Sequence, residues 1–177
     1  MNSELENLLA QIEEQKSKFL SEIDSWPEQS LHTAPEGHWN ALQIIDHIMM
    51  SERGVLGYMM KKTSSGWETI EATNEEHDRM SQALNERLQG REQYKIPAVL
   101  TEPVVIQSYE AICMNWSELR NKMNAFMQSL DEEFYHRQIF NQPAAGKLNL
   151  YQTLHFLMNH IHHHMYQLER LKAFHNA

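Results

Sequence analysis

The chain has 177 residues, of which 41% are apolar, so it is long enough for one domain with a hydrophobic core and short for two. We therefore expect a single domain over residues 1–177. The net charge of −9 disfavours binding to nucleic acid or to an anionic membrane surface. The single cysteine excludes an intrachain disulfide and a metal site made of several cysteines. Eleven histidines, five of them between His155 and His164, are the unusual feature of the composition.

The beginning of the chain, MNSELENLLAQIEEQ, carries acidic residues where a secretion signal needs a basic and then an apolar stretch. No apolar run approaches the ~20 residues that a transmembrane helix requires. A single unpaired cysteine is typical of a reducing compartment. We therefore expect a soluble cytoplasmic protein with no membrane partner.

Two long amphipathic helices are predicted first, over residues 3–26 and 39–62, because their apolar residues recur with helical rather than strand spacing. The apolar stripe of the first helix consists of Leu5, Leu8, Leu9, Ile12, Phe19, Ile23 and Trp26. The stripe of the second helix contains Ile45, Ile48, Val55 and Met59.

Residues 64–101 give the weakest signal in the chain. We expect a shorter helix over residues 74–88, followed by a long connection through residues 94–97. A connection of this length permits the chain to cross from one end of a bundle to the other. A simple alternating order of the long helices therefore does not follow from the sequence.

The third long helix follows Pro103, and the fourth begins at Leu150 after a turn over residues 143–146. Asn149 and Gln152 have the spacing of a capping box at the start of the fourth helix. The third stripe consists of Val105, Tyr109, Ile112, Trp116, Leu119, Met123 and Phe126, and the fourth of Leu150, Leu154, Leu157, Ile161, His164, Leu168 and Leu171. With no convincing alternating strand pattern, the sequence predicts an all-α fold. We expect an antiparallel four-helix bundle with a long connection between its second and third helices.

His160 and His164 are separated by four residues, so their rings lie on the same face of the fourth helix. Such a pair can chelate one divalent ion, but a stable site needs a third ligand from another element. His47, next to the apolar stripe of the second helix, is the best candidate. Three imidazoles would leave the ion an open position for water or substrate, and they suit zinc, nickel, copper or ferrous iron.

Other interpretations of the histidines stay open at this point. The spacing of the pair also arises by chance on solvated helices, and His164 could be a core polar residue with a hydrogen-bond partner and no metal. Other metal sites are not supported: the sequence has no H-E-x-x-H, and Glu133 and His136 provide only one of the two Glu-x-x-His pairs that a di-iron bundle needs.

Glu52 lies on the apolar seam of the second helix, five residues after His47. A carboxylate in such a position is costly unless it is paired. It could orient a ligand imidazole or act as the catalytic proton acceptor beside the metal. Alternatively, it could reach solvent at the edge of the helix.

Three short motifs occur in the order found in a known family. Residues 39–48 (WNALQIIDHI) followed by Glu52 resemble the second-helix motif of the DinB/YfiT-like superfamily, and residues 159–164 (NHIHHH) with Gln167 resemble its fourth-helix motif. Residues 146–150 (GKLNL) are similar to the usual approach to that helix. The motifs cover the second helix and roughly the last 30 residues.

The resemblance implies a four-helix bundle with a three-histidine divalent metal site, usually zinc or nickel, and often a homodimer. The ligands carried over to this chain are His47, His160 and His164, the same three that the spacing favours. Characterised relatives are metal-dependent thiol transferases that use low-molecular-weight thiols, and others are described as hydrolases. The chain has Met165 and Tyr166 where Arg-Gly is frequent, so the family's substrate preferences do not transfer directly.

The leading hypothesis from the sequence is a metal-dependent enzyme whose ion activates a thiol or water for attack on a small electrophile. In this hypothesis the partner is a small molecule, and Glu52 or a nearby polar group handles protons. The alternative is a non-catalytic metal-binding bundle related to stress responses. A bundle without metal is the third possibility.

Overall fold

The computed structural model describes residues 2–90 and 108–176 of the chain. The helices are α1 (Ser3–Ile23), α2 (Glu28–Leu31), α3 (Ala41–Thr63), α4 (Glu75–Gln89), α5 (Tyr109–Ser129) and α6 (Leu150–His175), and a single 3₁₀ turn covers Glu132–Phe134. Two short strands, β1 (Phe140–Gln142) and β2 (Gly146–Leu148), precede α6. The four predicted long helices correspond to α1, α3, α5 and α6, and the shorter predicted helix corresponds to α4. Val105 and the predicted connection through residues 94–97 lie outside the described residues.

Asparagine side chains set the beginning of most helices. Asn149 accepts a hydrogen bond from the backbone N–H of Gln152, whose own side chain accepts one from the backbone N–H of Asn149, each at 3.0 Å. This confirms the predicted capping box. Asn40 forms the same arrangement with Gln43, so α3 begins after Asn40 rather than at residue 39. The first helix ends at Ile23 rather than at residue 26, because a proline at position 27 disfavours helical backbone in the residue before it.

Contacts near the two ends of α1 fix its direction relative to its neighbours. Asn2 donates a hydrogen bond to the hydroxyl of Tyr151 at 2.8 Å, and the ring of Trp26 lies 5.4 Å from that of His175. These contacts join the start of α1 to the start of α6 and the end of α1 to the end of α6, so the two helices are parallel. Helix α5 runs the other way, because its first residue, Tyr109, donates a hydrogen bond to Asp24 at the end of α1.

Helix α3 is antiparallel to α6. His47, near the start of α3, contacts His160 in the middle of α6. Farther along α3, Tyr58 packs on Phe140, which in turn packs on Phe156, a position earlier in α6. Because α3 and α5 therefore run in the same direction, the long helices follow an up-down-down-up order. The expectation of an antiparallel bundle is correct for α1 with α5 and for α3 with α6. It is wrong for α1 with α6 and for α3 with α5, which are parallel.

The crossover between α3 and α5 makes this order possible. It contains α4, which runs parallel to α6: Gln152 donates to Asp78 at 2.7 Å near the start of both helices, and Gln89 donates to Asn159 at 3.1 Å farther along. The chain thereby returns to the end of the bundle at which α5 begins. This confirms the predicted long connection between the second and third helices of the bundle.

The sequence did not predict the β-hairpin before α6. Phe140 pairs with Leu148 and Gln142 with Gly146 in an antiparallel register, and Gly146 has φ +74° at the turn. The strands have three residues each, which is too short for an alternating pattern to stand out. The fold is otherwise helical, as predicted, and no helix of the described ranges is long and apolar enough to span a bilayer.

The core lies between α1, α3, α5 and α6, and the predicted stripe of α6 is buried throughout, His164 included. The other stripes need small corrections. In α5, Met127 is buried whereas Phe126 is half-buried, because the helical repeat drifts slightly from a strict heptad. In the first stripe, Leu9 of α1 and Trp26, which follows the end of α1, are half-buried. Three charged residues of the described ranges are buried inside the bundle: Lys16, Glu52 and Arg120. The apolar pattern had singled out Glu52 but neither of the other two.

Candidate metal centre

Three histidine side chains from two helices converge in the bundle. His160 and His164 lie one turn apart on α6, and the Nε2 atoms of the two rings are 3.1 Å apart. His47 approaches from α3, with its Nε2 atom 3.3 Å from that of His160. One nitrogen from each ring lies within 4.8 Å of the others, and the side chains are only 4–9% exposed. The structure thus brings together the three residues that the spacing and the family motif had singled out.

Burial keeps these imidazoles neutral. It lowers the pKa of His47 to about 4 and that of His164 to about 3, and the neighbouring histidines reinforce the effect. The pKa of His160 is also lowered, first by burial and then by its two neighbours. A neutral imidazole has a lone pair on one ring nitrogen, which is the form that binds metal.

Gln167 fixes which nitrogen of His164 faces the cluster. The side-chain oxygen of Gln167 lies 2.8 Å from Nδ1 of His164, so this nitrogen carries the proton and donates it. The lone pair of His164 is then on Nε2 and points at the other two histidines. A hydrogen bond of this kind typically holds a metal-binding imidazole in its orientation and tautomer.

Hydrogen bonds alone do not satisfy this cluster. A ring nitrogen offers one in-plane position, which holds either a proton or a lone pair. The Nε2 atom of His160 therefore forms a hydrogen bond with only one of its two neighbours, although both are within 3.3 Å. Its Nδ1 atom is buried with no hydrogen-bond partner among the described residues. A cation at the centre would engage all three nitrogens at once.

The spacing also fits a metal ion. In a tetrahedral site with Zn–N bonds of about 2.0–2.1 Å, the nitrogen ligands lie about 3.3–3.4 Å apart. The observed separations of 3.1 and 3.3 Å are close to this value. Three protein ligands are the set found in catalytic zinc sites, where the remaining position binds water or substrate.

Aromatic side chains enclose two of the histidine rings. Trp39 packs against His47 with ring centroids 4.8 Å apart, and Phe156 stacks on His160 at 5.5 Å. These contacts restrict the rotation of both imidazoles and keep water away from their flanks. Neither aromatic residue was predicted at the site from the sequence. The spacing of Phe156 and His160, four residues apart on one helix, was the available signal.

Glu52 is also on α3, but its side chain faces α5 and not the histidine cluster. It is fully buried, which shows that the solvent-exposed alternative was wrong. Trp116 donates its indole N–H to one carboxylate oxygen at 2.9 Å, and Arg120 forms an ion pair with the other. Among the described residues, neither oxygen bonds to a histidine. The catalytic role suggested for Glu52 stays a prediction, and these contacts offer it no direct part at the metal centre.

The remaining histidines near the cluster have other contacts. His162 lies 3.2 Å from the hydroxyl of Tyr166. His163 interacts with backbone carbonyls of Leu88 and Gly90 at the end of α4. His155 borders a groove between α4 and α6. None of the three contributes a ligand atom to the cluster.

The fold and the cluster together define a helical bundle with a buried three-histidine centre of the kind that binds a divalent metal. The family model of the DinB superfamily matches residues 11–168, and the chain belongs to this superfamily. The fold is similar to that of a solved structure described as "YfiT from Bacillus subtilis is a probable metal-dependent hydrolase with an unusual four-helix bundle topology". That match has a TM-score of 0.58 and 16% sequence identity, and it covers 99% of this chain and 90% of YfiT. A search of curated proteins found no significant match.

Proposed function

We propose that this protein is a metal-dependent enzyme in which a divalent ion held by His47, His160 and His164 activates water or a thiol for attack on a small electrophile. The observation that carries the proposal is the convergence of three buried, neutral imidazoles with Nε2 separations of 3.1 and 3.3 Å. An ion bound there would lower the pKa of a water or thiol in its open position towards neutrality.

The chain's own residues would contribute binding, orientation and a low dielectric. Gln167 holds the lone pair of His164 towards the centre, and the rings of Trp39 and Phe156 restrict the other two ligands. All three ligands are uncharged, so a bound divalent ion would keep its full charge and act strongly on the nucleophile. The ligand group includes no carboxylate from the described residues. The proton released from the nucleophile would therefore pass to solvent or to the substrate.

Zinc or nickel is the metal that we propose, because imidazole ligands suit both and members of the family use them. The proposed substrate is a small molecule, since a net charge of −9 disfavours nucleic acid. YfiT is described as a probable metal-dependent hydrolase, which favours water as the nucleophile. A low-molecular-weight thiol would use the same open position.

Elemental analysis of protein purified without an affinity tag tests the metal part of this proposal. We expect about one equivalent of zinc or nickel in the wild type and much less in His160→Ala. His162→Ala is the matched control, since it removes a histidine from the same helix but outside the cluster. Equal metal contents in all three proteins would contradict the proposed ligands.

Activity is tested separately on the metal-loaded protein. Model esters and amides probe hydrolysis, and model electrophiles combined with several small thiols probe thiol transfer. We expect one of these reactions to be faster with wild type than with His160→Ala, and the faster class identifies the nucleophile. Stoichiometric metal with no rate above that of the variant would instead support the non-catalytic metal-binding alternative.

A further inference from the structure

A buried polar cluster joins α3 to α5 at a position five residues along α3 from the ligand His47. Glu52 is fully buried, Trp116 is also fully buried, and Arg120 is 4% exposed. Trp116 and Arg120 are four residues apart on one face of α5, and each holds a different oxygen of the same carboxylate. Two directional contacts therefore fix both the position and the orientation of the Glu52 side chain.

The α5 side of this cluster is itself packed against the core. The indole of Trp116 packs edge-on against Phe19 of α1, with centroids 6.0 Å apart. The Nε atom of Arg120 is buried and has no partner among the described residues, so Glu52 is the acceptor that holds this guanidinium. If α3 moved relative to α5, it would leave a buried carboxylate and a buried guanidinium without their partners. Breaking a pair of this kind is strongly destabilising, whereas apolar side chains tolerate small displacements.

Because a helix is rigid, this contact also fixes His47. Five residues along α3 separate His47 from Glu52, which corresponds to a rise of about 7.5 Å and a rotation of about 140°. The two side chains therefore face different neighbours, α6 and α5. An atom about 6 Å from a helix axis moves by about 1 Å when the helix turns by 10°. A metal site tolerates an error of only about 0.2 Å in its ligand distances.

His47 is the ligand that depends on this placement. His160 and His164 share one helix, and their separation is set by its geometry, whereas His47 comes from another element. We propose that Glu52, clamped by Trp116 and Arg120, is a positioning residue that sets the rotation of α3 and thereby brings His47 to the ion. This inference rests on the proposed metal site and gives Glu52 a role that acts through α3 rather than at the reacting atoms.

The test is a titration of the metal-free protein with Co²⁺, followed by visible absorption. Co²⁺ reports both the dissociation constant and the coordination geometry of a site that takes zinc. For Glu52→Gln, we expect weaker Co²⁺ binding, because His47 would be displaced by more than the about 0.2 Å that a metal site tolerates, and a spectrum shifted towards that of His47→Ala. Arg120→Lys keeps the positive charge but loses the guanidinium geometry. It should show a smaller change in the same direction, and it serves if Glu52→Gln does not fold.

Met127→Ala is the matched control, because it truncates a fully buried side chain on α5 that lies beyond the Glu52 contacts. We expect it to lower Tm while leaving the Co²⁺ affinity and spectrum unchanged. If folded Glu52→Gln and Arg120→Lys bind Co²⁺ with the wild-type affinity and spectrum, the positioning role is wrong and the metal site stands. If the wild type binds no Co²⁺ that depends on its histidines, the proposed function itself fails.

Discussion

If the hydrogen bond from His164 to Gln167 orients the ligand, two substitutions of Gln167 should change metal affinity differently. Replacing Gln167 with Leu removes the acceptor that lies 2.8 Å from Nδ1 of His164. The imidazole then loses its fixed tautomer, and metal binding has to restore it. Removing an outer partner of this kind typically weakens metal binding by about 10- to 100-fold, which equals about 1.4–2.7 kcal/mol. Gln167→Glu keeps an acceptor at this position and adds negative charge, so we expect binding at least as tight as in the wild type.

A competition titration with a chromophoric zinc chelator measures these differences. His162→Ala belongs in the series, because its ring contacts Tyr166 and not the ligands. Wild-type affinity in Gln167→Leu would show that the hydrogen bond does not orient the ligand. If Gln167→Glu binds zinc more weakly than Gln167→Leu, a hydrogen-bond acceptor at position 167 does not strengthen metal binding.

Three further predictions concern the metal-free protein. His164→Leu should raise the free energy of unfolding of the metal-free protein by about 1 kcal/mol, because a buried polar ring in an apolar stripe is replaced by a side chain that needs no partner. A variant less stable than the wild type in urea unfolding would contradict this. The folded-state pKa values of about 4 for His47 and about 3 for His164 lie below the ordinary value of 6.5. The unfolded chain therefore binds more protons below pH 6.5, so wild-type stability should fall between about pH 6.5 and 4 and should fall less in His164→Leu; equal pH profiles would show that His164 does not contribute. Trp116→Phe should cost about 2–3 kcal/mol, since it removes a donor to a buried carboxylate; the half-buried Trp26→Phe, expected to cost less than about 1 kcal/mol, is the comparison in urea unfolding.

The sequence predicted the long helices well because each one carries an apolar stripe with a helical period. The stripe of α6 was correct at every position, including the histidine at 164. The order and directions of the helices did not follow, since an apolar stripe does not specify which neighbour it contacts. The crossover through α4 and the three-residue strands of the hairpin depend on contacts between distant segments.

The metal ligands were predicted from the positions of the histidines on their helices, and the resemblance to a known family agreed. The spacing of His160 and His164 defines one face of a helix, and His47 was chosen because it adjoins the apolar stripe of the second helix. The family motif then named the same three residues. For Glu52, the sequence predicted the need for a partner but not the partner. Its position on an apolar seam indicated that it needs a partner, but the partners, Trp116 and Arg120, lie on a helix more than sixty residues away. Only the packed structure shows that this carboxylate faces α5.

X-ray absorption at the zinc edge, on wild-type protein with one equivalent of zinc, tests most directly whether the three histidines form one metal centre. We expect three imidazole ligands with Zn–N distances of about 2.0–2.1 Å and two imidazoles in His47→Ala. A wild-type spectrum with fewer than three imidazoles, or one that His47→Ala leaves unchanged, would contradict the proposed centre.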